Sequence, residues 1–241
     1  MIGGDPLVFI ISAVFLIPAV VIAIPAHELG HAVAAHLMGD PTARNRGFLK
    51  LQPRLFFEPY GLLAAFLLRA AWGAPAPVNE YRLAGTARKL AYAFGGPAAN
   101  LLMAIGFGLL SRYLIFGLGI PAAPSTMTQP PLSYLSTIVY AIYFLNLSTM
   151  AFNLLPVPGL DGWRVLEAIF RTRNPKFFYA ASVNRQQIWM VCFLIIFVGS
   201  FFAGNLLNVV MSPFYAPPAH VIFGLCTGYP GLDPCPPSAG F

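Results

Sequence analysis

The amino-acid sequence reads as an all-α, polytopic membrane protein of about four transmembrane helices plus a short re-entrant or interfacial segment. Composition and spacing carry this reading. Of the 241 residues, 58% are hydrophobic and 9% are charged, where soluble domains carry about 25% charged residues. The apolar residues fall in runs long enough for a hydrocarbon core ~30 Å thick, and the basic residues gather in zones that flank those runs. An excess of Lys and Arg on one membrane face accounts for the net charge of +6. The expected surroundings are therefore a lipid bilayer, and no nucleic-acid partner is expected.

The first span is Leu7 to Met38, 32 residues interrupted only by Pro18, Pro25 and His27-Glu28-Leu29-Gly30-His31. Met1 to Pro6 carries no basic residue, so the run does not read as a removable signal peptide. As a helix it would extend ~48 Å, so it must tilt, kink or protrude, and each proline frees a carbonyl one turn earlier. Residues four apart stack on one helix face, which lets His27 and His31 aim imidazole nitrogens at a single metal ion. Glu28 is rotated off that pair. A carboxylate there is poorly placed to ligate, but well placed to take a proton from a water the metal holds. Ionisable groups at membrane depth are costly unless they serve a function, and a bound cation gives these three a shared one. The spacing points to metal-assisted hydrolysis, in the half of the membrane nearer Gly39. His36 lies about 140° round the helix from His31 and reads as structural or interfacial.

Asp40 to Tyr60 is polar and basic, with Arg44, Arg46, Lys50 and Arg54, and reads as an interfacial loop or short hairpin. Gly61 to Trp72 is apolar but shorter than the ~17 residues a span needs. With Arg82, Arg88 and Lys89 beyond it, the segment has basic residues on both sides, so it is expected to dip and return. The second span, Leu90 to Leu118, contains Gly95-Gly96-Pro97-Ala98-Ala99-Asn100. Small residues at this density admit a neighbouring backbone, and the Asn100 amide needs a partner there. Gly119 to Pro131 is uncharged and is expected on the face opposite the basic zones.

The third span, Leu132 to Asn153, runs into Asn153-Leu154-Leu155-Pro156-Val157-Pro158-Gly159-Leu160-Asp161-Gly162. Two prolines deny regular helix there, and unwound backbone at membrane depth is tolerated where it lines protein or a water-filled cavity. Asp161 reads as a polar residue of such a cavity or as the N-cap of the amphipathic stretch Trp163 to Phe170; on these residues alone the N-cap reading leads. Arg164 to Arg185 is a second basic zone, and Gln187 to Met211 the last span. Residues 1–211 then form one transmembrane domain, and residues 212–241 a Pro/Gly-rich tail without Lys or Arg, expected on the non-cytosolic side. Cys192 reads as inert in its apolar helix, while Cys226 and Cys235 either pair across the tail or stay reduced. Charge places both termini outside and the motif-bearing ends towards the cytosol, in a multi-pass protein of the cell membrane.

Three stretches, His27-Glu28-Leu29-Gly30-His31, Gly96-Pro97-Ala98-Ala99-Asn100 and Asn153 to Gly162, together resemble the site-2 protease family of intramembrane zinc metalloproteases, in the expected order. Gly39-Asp40-Pro41-Thr42 and Ala76-Pro77-Val78-Asn79 are similar to its minimal prokaryotic branch, which lacks PDZ and CBS domains. The resemblance implies that His27, His31 and Asp161 hold one Zn2+ per chain, that Glu28 is the catalytic base and that Asn100 and Asn153 lie near the site. It also implies a small β-hairpin within Arg44 to Phe57. Two histidines and one carboxylate leave a fourth position open for water, as catalytic zinc requires. The implied function is an intramembrane zinc endopeptidase that hydrolyses peptide bonds in or near transmembrane segments of its protein substrates. Pro156 to Leu160 would offer an edge for unwound substrate. Two other readings use the same histidines. A metal-binding or transport protein predicts a continuous polar path along several helices, which the sequence lacks; a non-catalytic membrane scaffold has no need of Glu28.

Overall fold

The computed structural model describes residues 6–50, 52–68, 71–120, 122, 131–202 and 206–223. In chain order the helices are α1 (Pro6–Leu37), α2 (Thr42–Asn45), α3 (Pro59–Leu68), α4 (Thr86–Arg112), α5 (Pro131–Asn153), α6 (Asp161–Phe170), α7 (Pro175–Val183), α8 (Arg185–Phe202) and α9 (Leu206–Phe223). Among the described residues four helices are long and apolar enough to cross a membrane: Ala13–Leu37, Thr86–Gly117, Pro131–Asn153 and Leu206–Phe223. The polytopic, all-α reading holds.

α5 is the centre of the bundle. Of its span, 72% is buried within the protein, against 22% to 39% for the other three, whose outer faces carry Val14, Val21, Leu102, Leu109 and Val209 into the surrounding lipid. α1 and α4 pack against α5 and against each other, and α9 covers α5 and α4 from the far side. Three buried polar side chains of α5 find an acceptor one turn back on their own helix. Thr137 Oγ1 donates to the Ser133 carbonyl at 2.7 Å, Asn146 Nδ2 to Ile142 at 2.8 Å and Asn153 Nδ2 to Thr149 at 2.9 Å. At the end of the bundle away from Asp40, Arg112 closes α4 onto α9 by donating to the Ile222 carbonyl at 2.8 Å, an otherwise unpaired C-terminal acceptor.

The crossing of α1 and α4 is unusually close because both helices present glycine there. A Cβ on Gly30 would stand 2.3 Å from the Gly95 carbonyl oxygen, and one on Gly95 would stand 2.7 Å from that of Gly30. α1 itself runs unbroken through Pro18 and Pro25. It ends where Gly39 turns to a φ of 96° and the Asp40 N–H returns to the Ala35 carbonyl at 2.8 Å, as left-handed glycine closures do.

Three expectations are corrected. Arg44 to Phe57 does not form a β-hairpin: the chain coils through α2 and the single turns Phe48–Lys50 and Pro53–Leu55. Pro53 lacks a ladder donor and the segment lacks a two-residue apolar alternation. Among the described residues the last candidate span is Leu206–Phe223, and the 187–211 stretch falls on two helices, α8 (Arg185–Phe202) and the start of α9 (Leu206–Phe223). Residues 212–223, read as tail for their prolines, continue α9 through Pro213, Pro217 and Pro218. Membrane helices tolerate such breaks where neighbouring helices pack around them, and Tyr215, Ala219 and Ile222 are buried here. Pro156 to Leu160 is not a regular strand. Local turns shape it: the Val157 N–H bonds the Leu155 carbonyl at 2.8 Å and the Leu160 N–H bonds the Val157 carbonyl at 3.0 Å. Across the segment Gly61 to Trp72 the chain returns on itself: α3 (Pro59–Leu68) runs into it and the Ala74 N–H comes back to the Phe56 carbonyl at 2.9 Å. Most of the 119–131 loop, and both Cys226 and Cys235, lie outside the described residues.

The crossing yields a prediction. Gly30→Ala should force α1 and α4 apart and cost about 1–3 kcal/mol, as overpacking a tight contact does. Gly106→Ala, on α4 where a Cβ meets nothing within 4 Å, should leave stability unchanged or slightly raised. Thermal unfolding of the detergent-solubilised variants checks both.

Candidate metal centre

His27 and His31 leave one face of α1, one turn apart, and the chain after α5 folds back to bring Asp161 beneath them. His27 Nε2 lies 3.0 Å from Asp161 Oδ2, His31 Nε2 lies 3.1 Å from the same oxygen, and the two Nε2 atoms are 3.2 Å apart. These are the only group of three or more potential ligand residues found together among the described residues, and all three are buried. Ligand atoms on a tetrahedral zinc with bonds of ~2.0–2.2 Å stand about 3.3–3.6 Å apart, so the triangle needs only a small expansion to accept that ion. Three electron-pair donors at this spacing repel one another, and a shared cation turns the repulsion into coordination.

The other imidazole nitrogens are already committed. His27 Nδ1 donates to Asn100 Oδ1 at 3.2 Å, and the Asn100 amide is oriented by its own bond to the Ala23 carbonyl at 3.4 Å. His31 Nδ1 donates to the Tyr92 carbonyl at 2.8 Å. Both rings therefore turn an Nε2 lone pair to the common point, the arrangement that fixes tautomer and ring orientation at metal sites. Asp161 is the first residue inside α6, and its side chain makes no capping bond. The N-cap reading is thus overturned. Its second oxygen, Oδ1, takes Arg164 Nη1 at 3.3 Å.

Glu28 leaves α1 one residue after His27, rotated off the ligand pair but facing the same cavity. Its Oε2 accepts the Ala76 N–H at 2.8 Å, a bond reaching across 48 residues. It lines the same cavity, about 340 Å³, as His27, His31, Asp161 and Asn153. Asn153 touches neither histidine: its amide ties the end of α5 to Ala71 at 3.4 Å, below the cavity. Trp72 and Trp189 meet edge to face at the cavity wall, centroids 5.4 Å apart. His36 bonds Arg44 at the surface and takes no part.

Sequence reasoning missed two residues of this assembly. Tyr92 supplies the carbonyl under His31, donates its hydroxyl to the Ala76 carbonyl at 3.2 Å and accepts Arg164 Nη1 at 3.2 Å, with the guanidinium 5.1 Å from its ring centroid. Arg164 so links Asp161 to α4. A signal was present: Tyr92, Gly96 and Asn100 recur every fourth residue, hence on one face of α4. Gly96 is the middle of that stripe. A Cβ there would lie 2.4 Å from His31 Nε2 and 2.7 Å from His27 Nε2.

Comparison with known proteins places the chain in a family. Peptidase family M50 matches residues 15–198. The chain belongs to peptidase family M50, the site-2 proteases. It is 33% identical over 204 residues to "Putative zinc metalloprotease YwhC" of Bacillus subtilis, covering 80% of this chain and 86% of that protein. It is 29% identical over 212 residues to "Putative zinc metalloprotease Rip2" of Mycobacterium tuberculosis, covering 86% and 75%. No solved structure matches it. An M50 chain is a multi-pass membrane metalloprotease by family, and the His27, His31 and Asp161 donor set suits the zinc that the relatives' names carry.

Gly96→Ala should therefore displace both imidazoles without unfolding the bundle. Metal analysis of the purified variant is expected to show zinc occupancy reduced severalfold, with thermal stability falling by no more than about 1–3 kcal/mol.

Proposed function

We propose that this M50 chain is an intramembrane zinc endopeptidase that hydrolyses peptide bonds in or near the transmembrane segments of other membrane proteins. The observation that carries the reading is the convergence of two imidazole Nε2 atoms and one carboxylate oxygen within 3.2 Å of one another, beside Glu28, in a cavity walled by membrane helices. His27, His31 and Asp161 would hold a single Zn2+ per chain. When bound, zinc supplies Lewis-acid polarisation of the scissile carbonyl and lowers the pKa of water.

Glu28 is the general base. One of its oxygens is fixed by the Ala76 N–H, which leaves the other to take the proton from the attacking water and return it to the leaving amine. Asn100 and Tyr92 keep the histidines in the ligating tautomer, and Arg164 holds the Asp161 carboxylate in place. A substrate helix must unwind to expose a carbonyl, so helix-breaking residues near the cut favour cleavage. Burial of the site among apolar helices suits a substrate delivered from the bilayer.

The site lies at the end of the bundle where the basic zones meet: Asp40 bonds the Asn79 N–H and Arg164 bonds Tyr92. By the positive-inside rule this end faces the cytosol of a cell-membrane protein. Cysteines introduced at Leu118 and Thr172 should then label from opposite faces in intact cells. Labelling from one face would remove the cytosolic assignment.

The catalytic reading is tested by Glu28→Gln, which keeps the size of the side chain but cannot accept a proton. Zinc content should be unchanged, and cleavage of a co-expressed single-span substrate should fall ~10²–10⁴-fold, the usual cost of losing a positioned base. Wild-type cleavage by this variant would transfer the protein to the class of non-catalytic scaffolds.

A further inference from the structure

The proposed mechanism gives no part to Gly39-Asp40-Pro41-Thr42 after α1, and uses only the Ala76 N–H of Ala76-Pro77-Val78-Asn79 ahead of α4. In the structure they meet. Asp40 is fully buried, and its two oxygens have separate duties. Oδ1 accepts the Thr42 N–H at 3.1 Å together with the Thr42 hydroxyl, which closes the corner between α1 and α2. Oδ2 accepts the Asn79 N–H at 2.6 Å, a bond across 39 residues that adds nothing to that corner.

Asn79 ends a short strap whose other end is Ala76, the residue that donates to Glu28 Oε2 at 2.8 Å. Pro75 and Pro77 flank Ala76; each fixes φ near −65° and has no N–H of its own. The strap is therefore stiff, and displacement at Asn79 is carried to the Ala76 amide. Tyr92 pins the same peptide from the α4 side through the Ala76 carbonyl at 3.2 Å. A carboxylate bond to a backbone N–H is charge-assisted and among the stronger hydrogen bonds a side chain makes.

We propose that Asp40 is a positioning residue for Glu28: by holding the Asn79 N–H it sets the strap, and the strap's Ala76 N–H fixes the Glu28 carboxylate. The proposal rests on Glu28 acting as the base. Asp40 never touches substrate; its effect travels through three backbone peptides.

The test compares wild type with Asp40→Asn, Thr42→Val, Val78→Gly and Glu28→Gln, all full length and zinc-loaded in detergent, on a synthetic single-span peptide interrupted by Asn-Pro. Amide exchange across residues 74–80 is followed on the same samples. Asp40→Asn should keep zinc and KM, lose kcat about 10- to 100-fold as small misplacements of catalytic groups do, and exchange the Ala76 amide faster. Thr42→Val, which disturbs only the Oδ1 side, should keep kcat. Val78→Gly, which softens the strap between its anchors, should lower kcat and speed the same exchange. Wild-type kcat or unchanged Ala76 exchange in Asp40→Asn overturns the proposal, as does equal loss in Asp40→Asn and Thr42→Val. If Asp40→Asn does not fold, Val78→Gly decides alone, and wild-type kcat there overturns it. Full activity in Glu28→Gln instead removes the base assignment itself, whereas the exchange measurement judges the strap without reference to turnover.

Discussion

The close contact of Gly30 with Gly95 is the constraint on which the site depends. With no side chain between them, α1 and α4 approach until backbone meets backbone, and that separation decides what lies under the two imidazoles. Next to the contact, Gly96 leaves room for the Nε2 atoms; a turn to either side of Gly96, the Tyr92 carbonyl and the Asn100 amide reach the two Nδ1 atoms. A wider crossing would leave these partners short of the rings and the rings free to rotate. Metal geometry here is thus a consequence of helix packing as much as of the motif that carries the ligands.

Much of this was legible in the residues. Apolar runs marked the spans, because hydrocarbon thickness sets a length that few other structures need. His27, Glu28 and His31 announced themselves by spacing on a helix whose face is fixed by its own period. Asp161 was harder: its residues alone favoured an N-cap, and only the tertiary return of the chain gives its carboxylate better partners than a helix terminus. Tyr92 stayed hidden because its decisive atom is a backbone carbonyl, which every residue has. The hairpin and the last span failed for a common reason. Both put something else ahead of tertiary packing: the hairpin rested on the resemblance, and the last span was cut short by local composition at 211, whereas packing against the bundle kept Pro213, Pro217 and Pro218 helical.

Charge is handled in layers. Asp161 faces the histidines with one oxygen and Arg164 with the other, and Arg164 in turn rests on the hydroxyl and ring of Tyr92. Asp161 and Arg164 so each have a hydrogen-bonded counterpart, which is the condition for keeping charge in a poorly hydrated interior. Asp40 obeys the same rule outside the spans. Burial works to raise its pKa, but donors from Thr42 and Asn79, with the Arg82 charge nearby, hold it below the ordinary carboxylate value.

The self-bonded polar residues of α5 bear on how such a protein is made. Thr137, Asn146 and Asn153 each find an acceptor four residues back on their own helix, so these bonds exist before any neighbour arrives. A segment that pairs some of its own amide and hydroxyl donors in this way meets lipid at a lower desolvation cost than its composition suggests. The helix that ends up most enclosed can therefore enter the bilayer alone and wait there for α1, α4 and α9 to assemble around it.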